Sequence, residues 1–145
     1  TFQSAGVPFS GAAGPAPSRG AACFEEGQSG PVALTPCTLT DGDFGTPVAL
    51  QSCSGSACGA SAPTLNNWAY VDLGASRPIS LVVVRGTAAG VVVETSADAT
   101  AWAALTQTAQ SRVFSLTASG SARYVRVRSA SATGDVTGLA EISVW

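Results

Sequence analysis

The sequence predicts an all-β sandwich preceded by an irregular arm, and three observations carry that expectation. From Pro31 onward, short apolar runs recur between turn residues at intervals typical of a sandwich. No segment keeps a 3.6-residue apolar period long enough to compete as a helix. In Arg123-Tyr-Val-Arg-Val-Arg128, Val125 and Val127 fall on one side and Tyr124, Arg126 and Arg128 on the other, the alternation of a half-buried strand.

Residues 1–30 are rich in Gly, Ala, Pro and Ser and show neither period, so they read as an arm or linker whose available anchors are Phe2, Phe9 and Phe24. The sandwich is expected over 31–145, with strands at 32–34, 48–51, 68–73, 79–85, 90–95, 101–105, 112–116, 123–129 and 139–145. Val82-Val-Val84 and Val91-Val-Val93 are continuously β-branched, so both faces of each are expected to be covered. The two runs are expected to pair as a hairpin around Gly86 to Gly90.

The 145 residues suffice for one domain with its own core. Hydrophobic residues make up 46% of the chain, mostly Ala and Val, yet no apolar run reaches the roughly 18 residues that suggest a membrane span. The chain begins at Thr1 without a basic-then-apolar leader, which reads as a processed or excised piece. The net charge is −2 and all seven basic residues are Arg, so no broad basic face is available for nucleic acid.

Four cysteines, Cys23, Cys37, Cys53 and Cys58, lie in the first half of the chain. Two disulfides are the economical reading and zinc is the rival, though no Cys-x-x-Cys pair and no His support the metal. Of three possible pairings, Cys53 with Cys58 and Cys23 with Cys37 are favoured, the first closing a small Ser-Gly-Ser-Ala loop. Oxidised cysteines place the protein outside the cytosol, in a secreted, periplasmic or envelope setting.

Catalysis has little to draw on. Without His or Lys, neither a Ser-His-Asp triad nor a Lys nucleophile can be assembled, and no Gly-rich phosphate loop links a strand to a helix. The chain is expected not to be an enzyme.

Four motifs occur in order: Trp68-Ala-Tyr-Val-Asp-Leu-Gly74, Ser96-Ala-Asp-Ala-Thr-Ala-Trp102, Ala122-Arg-Tyr-Val-Arg-Val127 and Ala140-Glu-Ile-Ser-Val144. Together they resemble the signatures of the discoidin, or coagulation factor 5/8 type C, domain over about residues 31–145. The resemblance implies a galactose-binding-like jelly roll, similar to bacterial family 32 carbohydrate-binding modules. It also implies a non-catalytic recognition unit attached to a larger protein.

Leu39-Thr-Asp-Gly-Asp-Phe-Gly-Thr46 resembles the loop that holds calcium in many such domains, and Glu141 matches the carboxylate that completes the site. Asp41, Asp43, Thr46 and Glu141 are therefore the expected calcium ligands, oxygen donors of the hard kind that this ion takes. The plainer reading is an Asp-Gly turn with solvated carboxylates. Val48 stands where many relatives carry Trp.

For the ligand, the resemblance points to Arg85, which closes the strand after the Asp-Leu-Gly turn, and Asn66 is a further candidate. Arg85 can equally pair with a nearby carboxylate. The His and the loop aromatic of sugar-binding relatives are absent, since the chain has no His and residues 131–138 contain no ring. Trp68 and Trp102 occupy positions that are usually core in the family. The expected function is an extracytoplasmic module that recognises carbohydrate on a cell surface or polysaccharide for its parent protein. The alternative is a structural accessory domain that packs against its parent and binds no free ligand.

Overall fold

Two long strands organise the chain: β3 (Trp68–Gly86), 19 residues, and β7 (Val113–Ser129), 17 residues. The computed structural model describes residues 17–27, 30–43, 45–46, 67–86, 90–107, 113–130, 136 and 138–145, with the backbone alone for 106–107 and 113–119. Around the long pair lie β1 (Ala22–Gly27), β2 (Gly30–Leu34), β4 (Val91–Ser96), β5 (Ala103–Ala104), β6 (Thr106–Gln107) and β8 (Leu139–Val144). The described pairings are all antiparallel.

Hydrogen bonding runs β2-β1-β3-β7-β4-β5, with β8 added on β3 and β6 on β7. The first part of β3 lies between β1 and the last part of β7, where Tyr70 faces both Phe24 and Arg126. Its last part lies between β8 and the start of β7, where Val82 faces Val144 and Phe114. The two long strands thus serve both layers of an all-β sandwich. Register shifts between Asp72 and Arg77 and between Ile79 and Leu81 bend the ladder without ending it. The expected strands at 68–73 and 79–85 thus merge into β3; Gly74 lies in the first shift, and Pro78 stays in register opposite Ser121. The expected strands at 112–116 and 123–129 likewise merge into β7.

The core fills the space between the layers. Val71, Val93, Val125 and Val127 meet Val82, Val84, Ile142 and Val144, and all are buried in one cluster with Leu39, Val136 and Leu139. Each such side chain contributes about 1.5–3 kcal/mol on leaving water. The alternation expected in 123–128 is present, with Val125 and Val127 buried and Tyr124, Arg126 and Arg128 only half-buried.

The expected hairpin between Val82–Val84 and Val91–Val93 does not form. Both edges of the end of β3 are already taken, by β8 and by the start of β7, so β4 pairs with the far end of β7. Gly86 makes the departure possible. It has φ 128°, and a β-carbon there would lie 2.2 Å from the Gly138 carbonyl oxygen.

A second difference concerns the arm: Ala22–Gly27, read as irregular, is β1 and pairs with both β2 and β3. Its apolar alternation is masked because Glu25 is buried on the inward side beside Cys23. The expected strand at 48–51 lies outside the described residues.

Cys23 and Cys37 form a disulfide with a Cα–Cα separation of 5.5 Å, as the favoured pairing requires, which removes both as zinc ligands. Cys53 and Cys58 lie outside the described residues. The bond closes a loop with a sequence separation of 14. The double variant Cys23→Ala/Cys37→Ala should lose about 3 kcal/mol of unfolding free energy in urea titration, and a loss below about 1 kcal/mol would show that the cross-link constrains little.

Candidate functional site

Two regions gather polar chemistry, the loop after β2 and the outward face of the β3–β7 ladder. The loop comes first because it carries the expected calcium ligands. Asp41, Asp43 and Thr46 line one cleft of about 430 Å³ together with Leu34, Thr35, Pro36 and Thr38. The Ile142 N–H donates to the Leu39 carbonyl at 2.8 Å and Thr40 Oγ1 donates to the Ala21 carbonyl at 2.7 Å, so the loop is pinned to β8 and to the entry of β1.

Glu141 enters from β8, only 3% exposed, and accepts the Gly42 N–H on both carboxylate oxygens at 3.2 Å. The fourth expected ligand is thus against the Asp41–Gly42 turn, far away in sequence and adjacent in space. Burial pushes the Glu141 carboxyl up to about 7; the neighbouring Asp41 charge adds to the rise, while the Gly42 N–H, Arg19 and Arg85 oppose it. Asp43 is held below the usual carboxylate range, first by the Gly45 N–H and then by the Thr46 hydroxyl. Its Oδ1 accepts the N–H groups of Gly45 and Thr46 at 3.0 and 3.2 Å.

A buried carboxyl beside a second carboxylate is stabilised by a cation, and the Thr46 hydroxyl and loop carbonyls are oxygen donors suited to calcium. Among the described residues no three acidic or thiol groups converge, so hydroxyl and carbonyl oxygens would have to supply much of the shell. Glu141 does not line the cleft of Asp41, Asp43 and Thr46, and both of its oxygens accept the Gly42 N–H.

Arg85 belongs to this same junction. It is the cross-strand partner of Glu141, and its charge acts on that carboxyl. Asn66 lies outside the described residues.

The second region is the face turned away from the core. Trp68, Tyr70 and Asp72 alternate with the buried Ala69 and Val71 along β3 and stand opposite Arg128, Arg126 and Tyr124 of β7. Tyr70 stacks on Phe24 and Trp68 at 5.1 and 5.8 Å, tilts against Trp102 at 5.7 Å and meets Tyr124 edge-on at 5.7 Å. The Arg126 guanidinium lies 4.2 Å from the Trp102 ring centre and 5.8 Å from that of Trp68.

Carboxylates hold these cations in place. Glu94 Oε1 accepts from Arg126 Nε at 2.9 Å and from Arg128 Nε at 3.2 Å, while Asp72 takes a paired bond from Arg123 at 2.7 and 2.9 Å. The paired bond from Arg123 also holds the Asp72 carboxyl below its ordinary value.

Trp68 and Trp102 are therefore not core, as their positions had suggested; both are half-buried on the opposite side of the ladder. Trp102 is delivered by a turn in which Ser96 Oγ accepts the Asp98 and Ala99 N–H groups and Asp98 Oδ1 accepts those of Thr100 and Ala101. Those N–H bonds hold the Asp98 carboxyl far below the usual range. The signal that could have placed Trp68 is its two-residue spacing from Tyr70, out of phase with Val71.

No family model and no curated protein matches the sequence. Solved structures do. CpGH89CBM32-4 produced by Clostridium perfringens aligns over 89% of this chain and 97% of its own with a TM-score of 0.56 and 12% identity. The chain shares the jelly-roll fold of that module. Chitosan-binding module 1 from the chitosanase/glucanase of Paenibacillus sp. IK-5 aligns over 90% and 98% at 19% identity and a TM-score of 0.49. The CBM32 of AlyQ, in complex with 4,5-unsaturated mannuronic acid, aligns over 54% and 69% at 17% identity and a TM-score of 0.43.

In this jelly roll the Asp72–Arg123 pair ties β3 to β7 at the bulge. Because the folded carboxyl is the stronger acid, its contribution is fully present above the ordinary Asp range near about 4 and is lost as pH falls from there through the lower folded value. Asp72→Asn should accordingly be less stable than wild type at pH 7, with the two urea-unfolding curves converging toward pH 3. A difference that stays constant with pH would exclude the charge as its cause.

Proposed function

We propose that this chain is a non-catalytic carbohydrate-binding module that holds a larger parent protein against polysaccharide or cell-envelope glycan outside the cytoplasm. The observation that carries the reading is the ring-and-guanidinium face of β3 and β7. A sugar offers apolar C–H faces that stack on indoles, and hydroxyls that bridge guanidinium and carboxylate groups. Trp68 and Trp102 stand there beside the Arg126–Glu94–Arg128 and Arg123–Asp72 groups. Each of these guanidinium groups is already engaged by a carboxylate, so hydroxyls rather than phosphates suit the face. The Cys23–Cys37 bond supports an oxidising compartment. The lack of His and Lys supports a binding role over a catalytic one.

A glycan array followed by titration tests this. Wild type should bind at least one polysaccharide class, and Trp102→Ala should weaken that binding at least about tenfold, or 1.4 kcal/mol. No binding to any class would overturn the reading. It would favour a structural accessory domain packed on its parent polypeptide, a role that the internal pairing of charges on this face also suits.

We also propose that Asp41, Asp43, Thr46 and Glu141 hold a structural calcium ion. When bound, the ion would supply positive charge between the loop and β8, with no part in any reaction. Glu141 brings the buried carboxyl, and Asp41 and Asp43 bring the exposed ones. Chelation should lower the wild-type melting temperature by roughly 5–10 °C, the effect of a ligand near a hundred times its Kd on a domain of this size. Asp41→Ala should not respond, and an unchanged wild-type melt would refute the site.

A further inference from the structure

The charges on the outward face of the β3–β7 ladder are shared unevenly. Asp72 holds one guanidinium, that of Arg123, whereas Glu94 holds two. A single oxygen of Glu94, Oε1, accepts from Arg126 Nε at 2.9 Å and from Arg128 Nε at 3.2 Å, and Arg126 Nη2 lies 2.8 Å from it. Of these three side chains Arg128 is the most exposed, at 31%, and Glu94 the least, at 10%. A ligand arriving from solvent therefore meets guanidinium before carboxylate.

Strand register fixes this order. Glu94 of β4 stands opposite Arg126 of β7 and Val92 stands opposite Arg128, so Glu94 and both arginines fall on one side of the same strand pair. Other contacts hold the guanidinium groups in place. That of Arg126 lies 4.2 Å from the Trp102 ring centre, and Arg128 Nη1 donates to the Ser129 carbonyl at 3.1 Å. Glu26 follows the inward Glu25 on β1 and accepts the Asn67 N–H, which adds a third carboxylate at the edge of this face, next to Trp68. Arg123, Arg126 and Arg128 thus stand with Asp72, Glu94 and Glu26, and charge around the rings is balanced.

We propose that Glu94 determines the charge specificity of this face, which takes uncharged glycan and rejects acidic polysaccharide; the inference rests on the carbohydrate reading above. A uronate carboxylate seeking the Arg126 or Arg128 guanidinium would have to draw it from Glu94. That would strip a buried carboxylate of its partners, a loss larger than an exposed ion pair returns. A sugar hydroxyl demands no such exchange. It accepts from a guanidinium that stays on Glu94, while the rings of Trp68 and Trp102 take the C–H side of the sugar. Glu94 is a positioning residue, acting through the two arginines without touching the ligand. In its absence two fixed guanidinium groups would lack their anion, and a ligand carboxylate would take its place.

The test is a glycan array carrying neutral polysaccharides beside polygalacturonate and alginate, probed with wild type, Glu94→Gln and Glu94→Asp, each checked for folding by its melting transition. Wild type should bind among the neutral polysaccharides only. Glu94→Gln should lose at least about tenfold on those and bind the two uronate polymers at least about tenfold more tightly than wild type, a gain that fades as salt rises from about 0.05 M to about 0.5 M. Glu94→Asp, which keeps the charge, should keep the wild-type selectivity. A merely structural Glu94 would give loss without gain, so a folded Glu94→Gln that acquires no uronate binding would overturn its role. Wild type that holds polygalacturonate or alginate as tightly as its neutral ligand would overturn the proposal with no variant needed. Wild type that binds no polysaccharide of either kind would remove the carbohydrate reading, and the inference with it.

Discussion

The antiparallel ladder between β3 and β7 is the constraint on which the rest of the molecule depends. Because side chains alternate across a strand, one choice of register sends Val71, Val125 and Val127 inward and Tyr70, Arg126 and Arg128 outward. A slip by one residue would bury the arginines and expose the valines, so the core enforces the register. The outward face inherits its order from that choice. Tyr70 meets Arg126 across the ladder, and the neighbouring strands bring Phe24 to one side and Glu94 to the other.

What was legible in the sequence is what the local period determines. The valine alternation in 123–128 and the all-β class could be read because each rests on a short pattern, whereas the approach of Glu141 to the Asp41–Gly42 turn was implied only by the family resemblance. Strand β1 could not, since Glu25 occupies an inward position and breaks the apolar pattern. The pairing of β4 with β7 depends on which edges other strands have already filled, and that is a property of the whole sheet. The family resemblance puts Trp68 and Trp102 in the core, yet the side that Trp68 faces is set by its phase relative to Val71, and that of Trp102 by the turn before it.

The loop after β2 shows how a surface element becomes rigid without a helix or strand of its own. Leu39 and Thr40 tie it through backbone and hydroxyl bonds to β8 and to the entry of β1, and Gly42 is held from below by Glu141 and covered from above by Arg19. Burial raises the Glu141 carboxyl more than the two arginines lower it. Desolvation of the carboxyl thus governs this junction. The ring-bearing face differs in this respect, because its arginines and carboxylates are paired at hydrogen-bond distance.

The Cys23–Cys37 bond also has a mechanical meaning. It closes a loop that holds the β1–β2 hairpin from Cys23, the second residue of β1, past the end of β2 at Leu34. Tension drawn along the chain passes from Cys23 to Cys37 through sulfur and bypasses the backbone between them. A pull on the two ends of the chain would therefore strip outer strands while this hairpin keeps its length. Under load, the chain would extend only on either side of the cross-link.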